Sequence, residues 1–195
     1  MSQGLTEAVR QYITETKTEE TMYPKDFLSI SDITKEQVLD LLDLAHDLKQ
    51  KQLSGRAEPL LKGKALAMIF HKPSLRTRVS FEAAMVQAGG SAIYITEKEI
   101  GRGDREPMAD IARVLSRYVD AIMIRTFGHD IAETLAKHAH VPVINGLTDR
   151  SHPCQILGDL LTIREHRKTL DGLKVAYIGD GNNVATSWIE ACAAL

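Results

Sequence analysis

Ser74-Leu75-Arg76-Thr77-Arg78 holds the most suggestive chemistry in this chain. It follows Phe70-His71-Lys72-Pro73 and opens a stretch of helical pattern. Backbone N–H groups at a helix start precede the first intrahelical bond, and with the helix dipole they favour an anion. Ser74 and Thr77 add hydroxyl donors, and Arg76 adds a planar fork suited to two phosphate oxygens. Ser74 would serve equally well as an ordinary N-cap, with the arginines solvated.

Further candidates follow other apolar runs. Arg125 ends Ala121-Ile122-Met123-Ile124, where a structural ion pair would also explain it. His152-Pro153-Cys154-Gln155 opens another helical stretch. His152 there is either a structural histidine or a hydrogen-bond donor to a ligand, with Gln155 one turn on. Nothing near Cys154 would lower its pKa, so it reads as packing. The loop 98–106 mixes Lys98, Arg102 and Arg105 with Glu99, Asp104 and Glu106, which suits a solvated loop or a mobile flap. Gly179-Asp180-Gly181-Asn182-Asn183 begins like a dinucleotide fingerprint, but Val184 stands where the third glycine belongs. Asn182 and Asn183 could cap a helix or hold a polar substrate.

These residues need elements to position them. Thr34 and Gln37 form a capping box, and Val38, Leu41, Leu42, Ala45 and Leu48 follow the helical period, predicting a helix over 35–51. Apolar runs at 64–70, 92–95, 121–124, 141–144 and 174–178 read as strands. Helical stretches fall between them at 75–88, from Pro107 as a first-turn residue, at 129–138, from about Pro153 to His166, and after Gly181. Alternation of this kind predicts an α/β fold, a parallel sheet with helices on both faces. Ligands of such sheets bind at the carboxyl ends of strands, where Ser74–Thr77, Arg125 and His152 fall. Three successive strand ends thus offer an anion site, a guanidinium and an imidazole to one small anionic ligand bearing a carbonyl.

Bulk properties narrow the class. The chain has 195 residues and a net charge of −2, with 26% charged and 44% hydrophobic residues. Such a balance gives no reason to expect nucleic acid or an anionic membrane as partner. Its two cysteines, Cys154 and Cys192, lack the spacing of a zinc site or disulfide framework and suit a reducing cytoplasm. No apolar run is long enough to span a bilayer, and the first residues lack a signal-peptide pattern. Residues 1–24, rich in Thr and Glu, read as an arm.

Taken together, the motifs resemble the aspartate/ornithine carbamoyltransferase family. The family's Ser-Thr-Arg-Thr-Arg followed by Phe-Glu stands here as Ser74-Leu75-Arg76-Thr77-Arg78 with Phe81-Glu82. His-Pro-x-Gln stands as His152-Pro153-Cys154-Gln155, whose Cys is similar to the ornithine branch. Ala112-Arg113-Val114-Leu115-Ser116-Arg117-Tyr118, Asn145-Gly146-Leu147-Thr148-Asp149 and Ile178-Gly179-Asp180-Gly181-Asn182-Asn183 are ornithine-like as well. The resemblance covers roughly residues 26–195. Two departures stand out. Leu75 replaces a family Thr and removes one hydroxyl donor. The Asp-x-x-x-Ser-Met-Gly and His-Cys-Leu-Pro motifs of the second domain are absent from these 195 residues.

The resemblance implies a four-stranded carbamoyl-phosphate-binding domain over 25–152. A linker helix and the first βα unit of an ornithine-binding domain would occupy 153–195. It implies that the ornithine side-chain amine attacks carbamoyl phosphate to give citrulline and phosphate, with no metal or organic cofactor. Ser74, Leu75 through its amide, Arg76 and Thr77 would hold the phosphate. Arg125 would bridge phosphate and carbonyl oxygen, His152 would donate to that oxygen, and Gln155 would orient the carbamoyl NH2. Asn183, with Asn182, would meet ornithine. A homotrimer, or a multiple of trimers, would be the assembly, with loop 98–106 reaching a neighbour. Competing expectations are an inactive carbamoyl-phosphate-binding module, a transferase for another amine such as putrescine, and an NAD-binding oxidoreductase built around Gly179-Asp180-Gly181.

Overall fold

The computed structural model describes residues 23–101 and 105–195. Most of the expected arm, and residues 102–104 of the 98–106 loop, lie outside that range. Four strands form one sheet: β1 (Ala65–Phe70), β2 (Ser91–Thr96), β3 (Ala121–Arg125) and β4 (Val143–Leu147). Their order is β2-β1-β3-β4, and every pairing is parallel. Around them lie α1 (Lys35–Leu53), α2 (Leu75–Gln87), the short α3 (Glu97–Ile100), α4 (Met108–Leu115), α5 (His129–His138), α6 (Pro153–Arg167) and α7 (Asn183–Ala194).

Alternate side chains of a strand point to opposite faces, and the two faces bury different clusters. Ala67, Ile69, Ile122, Ile124 and Val143 pack on α4 and α5 through Ile111, Ala112, Ala132 and Leu135. Leu66, Met68, Phe70 and Met123 pack on the other face against Phe81 and Met85 of α2. The expected parallel sheet with helices on both faces is therefore present. A third cluster joins Val38 and Leu42 of α1 to Ile156 and Leu160 of α6 and Ala191 of α7. The capping box that starts α1 forms as expected: Gln37 N–H donates to Thr34 Oγ1 at 3.3 Å, and Thr34 N–H donates to Gln37 Oε1 at 2.8 Å.

Three expectations need correction. The fourth strand runs Val143–Leu147, not 141–144. Asn145 and Gly146 belong to it, although both are turn formers. A Cβ at Gly146 would lie 2.5 Å from Met123 Sδ and 3.3 Å from Ile124 O, so glycine lets the Met123 side chain pack closely over the strand. Pro107 is the N-cap of α4, one residue outside the helix. Lys174–Ile178, read as a fifth strand, forms none. A strand exists through its ladder, and no described strand pairs with this segment; Ile178 is 96% exposed.

The strand order contains a switch point. From β1 the chain winds to β2 on one side, then crosses to β3 on the other. The ends of β1 and β3 flank this switch point, where open parallel sheets bind ligands. The register of β3 on β4 also shifts between Ile124 and Arg125, so Arg125 pairs with Leu147 and Gly146 is the extra residue. A bulge of this kind re-aims the neighbouring side chain.

Candidate functional site

β1 ends at Phe70, and four residues later Ser74 caps α2, its Oγ accepting from Thr77 N–H at 3.3 Å. The first intrahelical bond runs from Arg78 N–H to Ser74 O at 3.1 Å, so the amides of Leu75 and Arg76 precede it. The Leu75 side chain is 78% exposed. That residue can serve an anion through its backbone only.

Arg125 reaches this helix start from the end of β3. Its Nε donates to Lys72 O at 3.2 Å and its Nη1 to Thr77 Oγ1 at 3.3 Å. The guanidinium is thereby tied both to the loop that follows β1 and to the first turn of α2. Burial, and next the charge of Arg76, hold Arg125 below its ordinary pKa. Two guanidiniums that repel each other are stabilised by an anion between them. Beneath them, His71 Nδ1 and Thr126 Oγ1 share a buried hydrogen bond of 2.8 Å. Lys72 Nζ sits 2.9 Å from Asp149 Oδ1 and 4.5 Å from the Phe127 ring centroid, bracing the loops after β1 and β4.

His152 is the N-cap residue of α6, with Pro153 in the first turn. Burial, then the nearby Arg125 charge, push its imidazole down to about 4. At neutral pH the ring is uncharged and donates through one nitrogen only. Its Nδ1 is buried without a hydrogen-bond partner. A buried N–H without an acceptor costs more than a buried lone pair, so the proton belongs on Nε2. This depressed pKa has a consequence for stability. The unfolded chain takes the proton near pH 6.5, the folded chain only near 4. Stability present above pH 6.5 is therefore lost as the pH falls through that window. His152→Gln is expected to lose less stability than the wild type between pH 6.5 and 4.5 in thermal melts. Identical pH slopes would show an imidazole that titrates normally.

Gln155, three residues on, is exposed, and its Nε2 donates to Asp159 Oδ1 at 2.9 Å. That bond ties down the amide nitrogen and leaves Oε1 to accept. Cys154 is half-buried and packs with its Sγ 3.5 Å from Asn145 O; desolvation pushes its thiol up to about 12, so it is no nucleophile at neutral pH. Arg78 turns aside, bonded to Glu82 Oε1 at 2.9 Å and lying 4.0 Å from the Tyr94 ring centroid.

The two asparagines part company. Asn182 caps α7, its Oδ1 accepting from Val184 and Ala185 N–H groups, while its Nδ2 donates to Tyr177 Oη at 2.8 Å. Both ends of its amide are thus engaged in local structure. Asn183 Nδ2 donates to Thr148 O at 2.7 Å, on the loop that leads to His152. Direct bonds thus gather Ser74, Thr77 and Arg125, while the charge of Arg125 reaches both Arg76 and His152. Sequence reasoning missed the buried polar support of that loop: Asn145, Thr148, Ser151 and Ser187, all fully buried. Its one available signal is the polar run Thr148-Asp149-Arg150-Ser151 between two apolar elements.

The all-parallel sheet, its switch point between β1 and β3, and the helix start that Arg125 reaches from the end of β3 define an open α/β domain of the kind that takes ligands at its strand ends. Residues 25–165 match the model of the "Aspartate/ornithine carbamoyltransferase, carbamoyl-P binding domain", and the chain belongs to that family. It is 60% identical over 165 residues to an ornithine carbamoyltransferase of Carboxydothermus hydrogenoformans, an alignment that covers 84% of this chain and 52% of the relative. Against the Bacillus subtilis enzyme of the same name it is 56% identical over 178 residues, covering 91% of this chain and 54% of that one. The structure of the ornithine carbamoyltransferase from Pyrococcus furiosus superposes with a TM-score of 0.84 at 53% identity, covering 86% of this chain and 53% of that one. For the enzyme from Thermus thermophilus the TM-score is 0.83 at 48% identity, with 89% and 59% covered. The chain spans about half the length of the curated relatives it matches.

Proposed function

We propose that this chain is the carbamoyl-phosphate-binding part of an ornithine carbamoyltransferase, transferring the carbamoyl group to ornithine to give citrulline and phosphate. The observation that carries this reading is Arg125, held between Lys72 O and Thr77 Oγ1 at the head of α2, beside an uncharged His152. Carbamoyl phosphate needs those chemistries side by side: cations and amides for its phosphate, and a neutral donor for its carbonyl oxygen.

Ser74, Thr77, Arg76 and the Leu75 amide hold the phosphate. Arg125 bridges phosphate and carbonyl oxygen, and His152 donates to the same oxygen from Nε2. Gln155 Oε1 accepts from the carbamoyl NH2. The uncharged ornithine amine attacks the carbonyl carbon, a tetrahedral intermediate forms, and the carbon–oxygen bond to phosphate breaks as the leaving phosphate takes up the amine's proton. Charge that develops on the carbonyl oxygen meets donors already in place, which is how a site without a cofactor lowers the barrier. Asn183 meets the ornithine backbone groups; Asn182 serves it indirectly, as the cap of α7.

In the same reading residues 25–152 bind carbamoyl phosphate, 153–195 link to and begin the ornithine-binding domain, and 1–24 form an arm. The assembly is a homotrimer or a multiple of trimers, working in cytoplasmic arginine biosynthesis. Calorimetric titration of the chain with carbamoyl phosphate and with NAD tests the ligand. Saturable binding of the first is expected, and saturable binding of NAD alone would sink the proposal. A citrulline assay with both substrates separates a transferase from a binding module, and putrescine in place of ornithine tests the acceptor.

A further inference from the structure

His152 carries an unusual burden. A histidine that must aim one ring nitrogen at a ligand is commonly oriented by a hydrogen bond to the other. Here Nδ1 is buried and has no partner. The direction of Nε2 is therefore set by the backbone of His152 and by packing. That backbone is not yet helical: φ is −136° and ψ 65°, with Pro153 following at the start of α6. On its carboxyl side the carbonyl accepts from Gln155 and Ile156 N–H groups at 3.2 and 3.4 Å. On its amino side a single bond holds it. The N–H donates to Ser187 Oγ at 2.9 Å.

Ser187 lies on α7, 35 residues further along the chain, and is fully buried. Its hydroxyl also meets Ser151 Oγ at 3.2 Å. It accepts from His152 N–H and shares a hydroxyl–hydroxyl bond with Ser151 in which either can donate, so one hydroxyl holds two consecutive residues of the loop. One turn earlier on the same helix face, Asn183 Nδ2 holds Thr148 O at 2.7 Å. Two turns of α7 thus grip the 148–152 loop from outside the sheet that carries the anion site. Among the described residues, the side-chain hydrogen bonds of Ser74, Thr77 and Arg125 run to one another and to Lys72, none to a side chain of α7.

We propose that Ser187 is a positioning residue for His152, placing its imidazole for the carbonyl group of the ligand while leaving the phosphate subsite untouched. This inference rests on the carbamoyl phosphate reading above. It predicts a selective defect. Removing the hydroxyl releases the His152 backbone and leaves its buried N–H unsatisfied, but the head of α2 and Arg125 stay as they are.

The test is calorimetric titration of wild type, Ser187→Ala, His152→Ala and the double variant with carbamoyl phosphate and, in parallel, with inorganic phosphate. Ser187→Ala is expected to weaken carbamoyl phosphate binding roughly tenfold, the scale of one buried hydrogen bond. Phosphate binding stays within about twofold, since no lost contact touches it. In the His152→Ala background, Ser187→Ala adds nothing, because its effect runs through the missing ring. Should Ser187→Ala fail to fold, Ser187→Cys keeps nearly the same volume with a poorer acceptor and is expected to show the same selectivity. Equal losses for both ligands, or additive losses in the double variant, would overturn the proposal and make Ser187 a general structural residue. Failure of the wild type to bind carbamoyl phosphate would bring down the parent reading as well. Wild-type binding with an unchanged Ser187→Ala removes this inference alone.

Discussion

Arg76→Ala is expected to abolish detectable carbamoyl phosphate binding while leaving the melting temperature of the chain unchanged. The two halves of that result have separate causes. Arg76 is an exposed residue in the first turn of α2. Its loss leaves no cavity and removes no buried bond, and surface changes of that kind usually stay within about 0.5 kcal/mol. The ligand loses much more. Hydrogen bonds to a charged group contribute about 1.5–3 kcal/mol each, and a bidentate guanidinium makes two. At about 1.4 kcal/mol per tenfold, that is a loss of roughly a hundredfold or more. Arg125 is the poorer residue to test first. Its guanidinium also holds Lys72 O and Thr77 Oγ1, so its removal would disturb the loop as well as the ligand. Titration and a thermal melt of Arg76→Ala settle the point, and wild-type affinity would show that the phosphate lies elsewhere.

The same separation between exposed and buried chemistry governs what could be read from residue order. β1 and β3 are short, continuously apolar and bounded by loops, so period and length place them. α1 announces itself through Thr34 and Gln37. Ser74–Thr77 and Arg125 are legible because strand ends in a parallel sheet are where ligands bind, and each follows an apolar run directly. The failures share a cause: a tertiary partner overrides a local signal. Asn145 and Gly146 look like a turn, yet the approach of Met123 and the pairing to Ile124 make them strand. Phe27 joins the edge of β4 by donating to Val143 O and accepting from Asn145 N–H, each at 2.8 Å, which nothing in its own neighbourhood foretells. Lys174–Ile178 has the composition of a buried strand but no described neighbour to pair with. Ser187 is a single serine in a helical stretch until a loop 35 residues earlier is folded onto it.

The largest effect on stability is expected at Asn145, where strand and loop meet. It is fully buried. Its Nδ2 donates to Leu28 O at 2.8 Å and to Ser151 O at 3.3 Å, joining the segment before α1 to the loop before His152. Ser151 O keeps a second donor, Thr148 N–H at 2.9 Å. Leu28 O is the group that Asn145→Ala leaves exposed to the loss, at about 1–3 kcal/mol for a buried unsatisfied carbonyl. The truncated side chain adds a small cavity. Against this, Asn145 Oδ1 is itself buried without a partner, and its deletion returns part of the cost. The balance is a destabilisation of about 2–3 kcal/mol, or a fall in melting temperature of roughly 5–10 °C. Asn145→Asp is expected to be worse, although it keeps the shape. It replaces both donors with a carboxylate facing two carbonyl oxygens in a fully buried site, which is costlier than an empty one. If the aspartate variant melted with the wild type, the amide would not be a donor to Leu28 and Ser151. Where the order wild type, alanine, aspartate does hold, carbamoyl phosphate binding should weaken in step, because the loop that Asn145 secures is the one that delivers His152.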